Sequence, residues 1–445
     1  MRRFKYHPNS IKIIEWYFKN VFGPKLTKQE IDKLSNYNLT QLLLNISFLD
    51  YDLSIIESHL KIMKECSLKR IASQSDDIPT KSLVQMISSI YRMKLVFLKN
   101  FEDLELLREV IEKRLDNMNM LDLQSILKGY ADVYSTYSYN PKIVAPLVKH
   151  IKKNRNRVNS LILTNIMKSL ASLRIDHPAL YNHIVNLIKA DYRRLDNVAL
   201  AYSFARMVKL NQRKPAMELY HFYSKINFFG NLVNPHNTVQ MLYSFAQLGI
   251  YDEQVWFTLI NNTDDSMLQN IRPSIYDQFS SALKEAFKLC KIEAPELYEK
   301  VKHCKLAQRL AEVGRNKDKV ITKTQTVISK ACQSLGFEVK NEIYIDEVSC
   351  DIYLPELNLV IEYNGPSHYL NGTDKLIGSS LNKERLLNGK VKILNIGYFE
   401  IAKCKDLNLS FLFIGDAPES LSDKVLEYDS IAEFLKEKID EVILD

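Results

Sequence analysis

Apolar residues recur at steps of three and four from residue 40 to about 290, as in Leu123, Ile126, Leu127, Tyr130, Ala131 and Tyr134. That period predicts helices with one buried face. Within it a mark repeats, a small residue beside an aromatic or aliphatic one, at Ser47, Ser89, Gly129, Ser169, Ser203, Ser244 and Ser281. The spacings are 42, 40, 40, 34, 41 and 37 residues. Between the marks lies a second apolar stretch, for example Pro178 to Leu187 and Glu218 to Ile226. Asp122, Asp196 and Asn234-Pro235 offer helix starts. Seven two-helix units at this period predict an α-solenoid, because such a pair buries its apolar face only by stacking on neighbours.

The rhythm changes after residue 290. Residues 291–315 read as a charged capping helix, and Asn316-Lys-Asp-Lys319 as a linker. Beyond it come an amphipathic helix from Thr322 to Leu335 closed by Gly336, a strand over 337–345, and alternating runs at 348–354 and 359–364. A helix over 374–388, a strand over 391–396 and a last helix from Asp429 to Val442 complete an αβββαβα order, a small α/β domain. The predicted division is 1–39, an N-terminal helical or targeting region; 40–315, the repeat array with its cap; and 316–445, the α/β domain.

The runs 348–354 and 359–364 flank Pro355-Glu-Leu-Asn358, which is turn chemistry, and so predict a β-hairpin. Folding it about that turn sets Leu354 opposite Leu359, Ile352 opposite Ile361 and Asp351 opposite Glu362. Two like charges on one face need a metal ion, a basic side chain or a proton beside them.

Composition narrows the partners. The chain has 445 residues, 46% hydrophobic and 25% charged, as in a globular protein. No apolar run approaches the roughly 18–20 residues of a membrane helix. Residues 1–25 lack a secretory core but carry Arg2, Arg3, Lys5, Lys12, Lys19 and Lys25, which suits an organellar transit segment or a basic first helix. Six cysteines without Cys-x-x-Cys spacing predict buried thiols rather than a zinc site. Net charge is +7, but residues 142–225 hold 16 basic and only 4 acidic residues, whereas 316–445 are acidic, with 15 against 22. That concentration is the footprint of a polyanion-binding surface. Its candidates are Lys149, Lys152, Lys153, Arg155 and Arg157, then Arg193 and Arg194, then Lys209, Arg213 and Lys214, expected at equivalent places in successive units and hence along one edge.

Residues 320–402 resemble a RAP domain, the C-terminal module of many apicomplexan and algal organellar proteins and of FAST-kinase-like mitochondrial proteins. The resemblance is carried by Gln325, Ala331 and Leu335-Gly336, by Asp351-Ile352, by Val360-Ile-Glu-Tyr-Asn-Gly-Pro-Ser-His-Tyr369, and by Thr373, Lys383, Leu386, Gly389 and Val391 to Ile396. The helical array is similar in design to the repeats that precede such domains. The family usually has Asp where Asn364 stands, and often Trp where Lys390 and Ile401 stand. The resemblance implies organellar RNA metabolism, in a mitochondrion or alternatively a plastid-type organelle. The implied partner is RNA, single-stranded or structured ribosomal RNA, in a mitoribosome component or assembly factor that also meets ribosomal proteins. Neither DNA nor a membrane is implied.

RAP domains in turn resemble the restriction-endonuclease-like fold, whose nucleases hold Mg²⁺ with carboxylates at the positions of Asp351 and Glu362 and place Lys at that of Asn364. His368 is then either a general acid or base or a hydrogen-bonding turn residue. Two functions follow: a non-enzymatic RNA binder without cofactor, whose module face comprises Asp351, Glu362, Asn364, His368 and Lys383, or a Mg²⁺-dependent RNA endonuclease with Asp351 and Glu362 on the metal. A protein-binding scaffold is the third class.

Overall fold

The computed structural model describes residue 16 and residues 27–47, 57–92, 101–134, 149–150, 153, 158–232, 235–262, 273–311, 321–371, 373–404 and 428–444. Lys152, Arg155, Arg157, the basic N-terminal residues up to Lys25 and the expected linker lie outside them. The described residues are mostly helical, with a small four-stranded sheet in the C-terminal part. They fall into two compact units, one up to Leu173 and one from Arg174 onward.

In the first unit the helices are α1 (Lys28–Lys33), α2 (Asn36–Ser47), α3 (Glu57–Gln74), α4 (Thr80–Arg92), α5 (Phe101–Arg114), α6 (Met120–Tyr134) and α7 (Ser160–Ser172). Like packs on like: α2 on α4, α4 on α6 and α6 on α7, with α1, α3 and α5 forming a parallel series. The repeated small residues lie at these contacts. The Ser47 and Ser89 hydroxyls meet at 3.4 Å, and a side chain on Gly129 would come within 3.1 Å of Tyr91. Ser169 turns its hydroxyl onto the carbonyl four residues back, so a polar group is buried without loss of a partner.

The second unit continues with α8 (Pro178–Asp191), α9 (Asn197–Lys209), α10 (Arg213–Lys225), α11 (Pro235–Leu248), α12 (Glu253–Asn261), α13 (Pro273–Glu293), α14 (Pro295–Val301) and α15 (Lys305–Ala311). Here α9 packs on α11 and α11 on α13, while α8 packs on α10. Asp196 caps α9 as expected, accepting from the Ala199 amide at 2.7 Å. At Asp122 the expectation needs correcting. Asn119 is the cap of α6, and Asp122 lies within the helix, its carboxylate accepting from the Asn119 amide at 3.1 Å. The single charged helix expected over 291–315 is instead the end of α13 followed by two short helices, interrupted at Ala294 and at 302–304.

The C-terminal module comprises α16 (Lys323–Ser334), β1 (Lys340–Ile345), β2 (Val348–Leu354), β3 (Leu359–Asn364), α17 (Asn382–Leu387), β4 (Lys392–Gly397), α18 (Tyr398–Cys404) and α19 (Tyr428–Leu444). A capping box starts α16 at Thr322 and Gln325, and Gly336, at φ +93°, lets the chain leave it. The sheet order is β1-β2-β3-β4, with β3 and β4 parallel. α16 and α19 cover one face, burying Ile328, Ile352, Leu354, Leu359, Ile361 and Leu435. The pleat therefore sends Asp351 and Glu362 to the other face.

Two elements differ from expectation. β1 begins at Lys340, because the Phe337 amide closes α16 on the Cys332 carbonyl and Glu338 binds the Glu356 carboxylate. The helix expected over 374–388 is only a 3₁₀ turn at Gly378–Leu381 leading into α17. The segment before it spends its main chain on neighbours: Leu370 on Lys375 and Ile377 on His368, so no i−4 ladder forms.

Candidate functional site

The hairpin has the expected register, with Leu354 across from Leu359 and Ile352 across from Ile361. Its turn is a 3₁₀ turn at Pro355–Leu357 closed by Asn358 at φ 48°, a left-handed position that asparagine tolerates. Continuing the register brings Asp351 and Glu362 together. The Asp351 amide donates to Glu362 Oε1 at 3.2 Å, and the Tyr363 amide donates to Asp351 Oδ2 at 3.1 Å.

Glu362 is only 5% exposed, yet its carboxylate is paired with the Lys383 ammonium delivered by α17. The neutraliser required by the two carboxylates is thus a basic side chain. Burial pushes the Glu362 carboxyl up to about 7; the Asp351 charge adds to the rise, and Lys383 and the Asp351 amide oppose it. The ion pair alone would lower the value, so desolvation outweighs it.

Asn364, also buried, donates its amide to Asn395 Oδ1 at 2.9 Å, and Asn395 in turn donates to Glu384. The cation beside the two carboxylates comes from position 383. His368 Nδ1 lies 3.0 Å from the Ser380 hydroxyl, which braces the turn after Gly365-Pro366. The ring touches solvent, but the surrounding protein and then the Lys383 charge hold its imidazole below the ordinary range. Asp351, Glu362, Asn364, His368, Ser380 and Lys383 all line one cavity of ≈ 410 Å³. All five module residues expected from the sequence therefore converge.

The donors as arranged do not fit a resident Mg²⁺. Both Glu362 oxygens and one of Asp351 are engaged by amides or the ammonium. An ion there would have to displace Lys383.

One residue that the sequence reading missed holds this arrangement in place. Arg385, two residues beyond Lys383, donates to the Ala246 carbonyl at 2.8 Å, to the Gln247 carbonyl at 2.9 Å and to Glu293 at 2.6 Å. It thereby serves the open C-terminal carbonyls of α11. Asn382 binds Glu285 at 2.7 Å, Asn371 binds the Arg174 carbonyl at 2.8 Å, and Lys375 pairs with Asp176 at 2.7 Å. At Gly378 a Cβ would lie 2.5 Å from the Val208 carbonyl oxygen, so only glycine permits the approach. Asn371 and residues 373–385 are thus pinned to neighbouring helices and helix ends, and Lys383 with them.

Within the second unit the described basic candidates do not share one edge. Arg193 and Arg194, both exposed, lie in the 3₁₀ turn before α9. Lys209 ends that helix, and Arg213 and Lys214 open α10. The two groups thus sit at opposite ends of a 13-residue helix, about 20 Å apart. Arg213 donates to the Leu248 carbonyl at 3.1 Å, a capping contact. In the first unit, Lys149 is exposed and Lys153 pairs with Asp116 at 3.0 Å. The turns between units and the turns within them were indistinguishable by spacing alone.

Four cysteines are buried, two are half-buried, and none of the six is in a disulfide. Among the described residues no helix is long and apolar enough to cross a membrane. No protein-family model matches this chain, and no curated protein matches it.

Proposed function

We propose that the chain is an RNA-binding protein of an organelle, a mitochondrion in the first instance. Its helical part would act as an α-solenoid that grips phosphates, and its C-terminal module as a RAP-like unit on a restriction-endonuclease-like frame. The observation that carries this reading is the charge of residues 142–225, 16 basic against 4 acidic, with Arg193, Arg194 and Lys214 exposed on it. The like-on-like helix series supports the solenoid. The convergence of Asp351, Glu362 and Lys383 supports the module and also sustains a second reading, RNA cleavage at that cavity. Ribosomal RNA fragments are the RNA class that the resemblance favours.

One experiment tests both readings. Labelled single-stranded RNA is titrated with wild type and with the Arg193→Glu/Arg194→Glu variant over a salt series, and the RNA is then recovered after incubation with Mg²⁺. Binding by wild type, and a variant whose salt slope is shallower by about 1.4, fit phosphate contacts by these two arginines. No binding by wild type overturns the proposal. Cut RNA from wild type but not from Asp351→Asn establishes the second reading, and intact RNA dismisses it.

A further inference from the structure

A second opening in the C-terminal unit lies between α13, α14 and the β1–β2 turn, with a volume of ≈ 1200 Å³. That exceeds the roughly 300–1,000 Å³ of a small-molecule pocket, so a segment of polymer suits it better. Lys284, Lys288, Lys291, Lys302 and Lys390 line it against two acids, Asp346 and Glu347. Besides the buried Phe287, two tyrosines stand among the lysines. Tyr344 is 52% exposed although it is a large ring, and Tyr298 carries the Lys291 ammonium 5.9 Å from its centroid. Lysines interleaved with accessible aromatic faces are what a single strand needs, ammonium groups for its phosphates and rings for its bases.

The two acids occupy the β1–β2 turn, and their backbone is unusual. Asp346 has φ 46° and Glu347 φ 61°, consecutive left-handed positions that normally take Asn-Gly. Glu347 in particular is a poor choice for such a backbone. What the pair supplies is charge. Asp346 binds Lys390 at 2.8 Å, and Glu347 binds Lys288 at 2.8 Å. The Lys390 ammonium, with Lys291 and Lys288 at longer range, holds the Asp346 carboxyl below the usual carboxylate range. Both carboxylates are well exposed, so the contacts are exchangeable.

We infer that this groove binds single-stranded RNA, its lysines taking backbone phosphates and Tyr344 stacking on a base, and that Asp346 and Glu347 hold two of those lysines until phosphates replace them. The inference rests on the RNA-binding reading and adds a second contact surface to it. Sequence spacing gave no sign of it, because α13 and the hairpin turn are separated by more than fifty positions.

The test titrates a fluorescein-labelled oligouridine RNA with the full chain and follows anisotropy over a salt series. Lys288→Gln/Lys291→Gln should weaken binding about tenfold and make the salt slope shallower by about 1.4. Tyr344→Ala should weaken it about tenfold while leaving the slope unchanged. Asp346→Asn/Glu347→Gly should bind severalfold more tightly and unfold no more easily than wild type, because it relieves the turn while freeing two lysines. If wild type binds and the Arg193/Arg194 variant weakens it, but the groove variants match wild type, the groove inference fails and the RNA reading stands. Weaker binding by the Asp346/Glu347 variant overturns the exchange of acids for phosphates. A wild type that binds no RNA overturns both.

Discussion

In the module's cavity three carboxylates, Asp351, Glu362 and Glu384, meet one ammonium, whereas in the groove five lysines share a surface with two carboxylates. The arithmetic is nearly mirrored, but the surroundings are not. Glu362 is 5% exposed, while the side chains of Asp346 and Glu347 are 66% and 76% exposed. Burial makes charge in the cavity a matter of stability and of protons, because an unpaired ion there has no water to fall back on. Water makes charge in the groove a matter of access, because a lost partner is replaced at little cost. The same residue types thus do different work according to depth.

The largest expected effect comes from removing the cavity's ammonium. Lys383→Ala should cost up to about 3 kcal/mol at pH 8, where Glu362 loses its counter-ion beside Asp351 and must stay charged or take up a proton, and clearly less at pH 5, where it already carries one. Urea denaturation at the two pH values checks this, and an equal cost at both would break the contrast. Next comes the proton itself. The folded pKa of Glu362 is raised from 4.5 to about 7, so between those values the native state holds a proton that the unfolded chain has lost. Stability should therefore fall as pH rises through that window, by on the order of 3 kcal/mol from this group. His368 works in the opposite sense: its lowered value means that stability is gained as pH rises towards 6.5. Subtracting the profile of Glu362→Gln from that of wild type isolates the glutamate. The smallest effect belongs to the groove, where Glu347→Gln should change stability by less than about 0.5 kcal/mol, measured by the same denaturation.

Much of this was legible in the chain. The hairpin register followed from alternation around Pro355–Asn358, and the helix contacts followed from recurring small residues, since both signals are local. The pairing of Asp351 with Glu362 came from the same register. The role of Lys383 did not, because the irregular segment 373–381 carries it to the sheet and has no period of its own. Arg385 was invisible for a related reason: its partners lie 92 to 139 positions away. The run 374–388, closed by Gly389, reads as a helix, but the backbone bonds of Leu370 and Ile377 to neighbouring turns won over that pattern.

The close fit at Gly378 has a consequence for how this chain can change over time. A backbone oxygen of one helix end fills the space where any other residue would place a carbon, and Arg385 serves carbonyls of the neighbouring helix. A shuffled gene that joined this module to a foreign array would inherit a seam without its matching carbonyls. From Arg174 onward, array and module should therefore be inherited as a single piece, and drift on one side of the seam should be tolerated only when the other side follows.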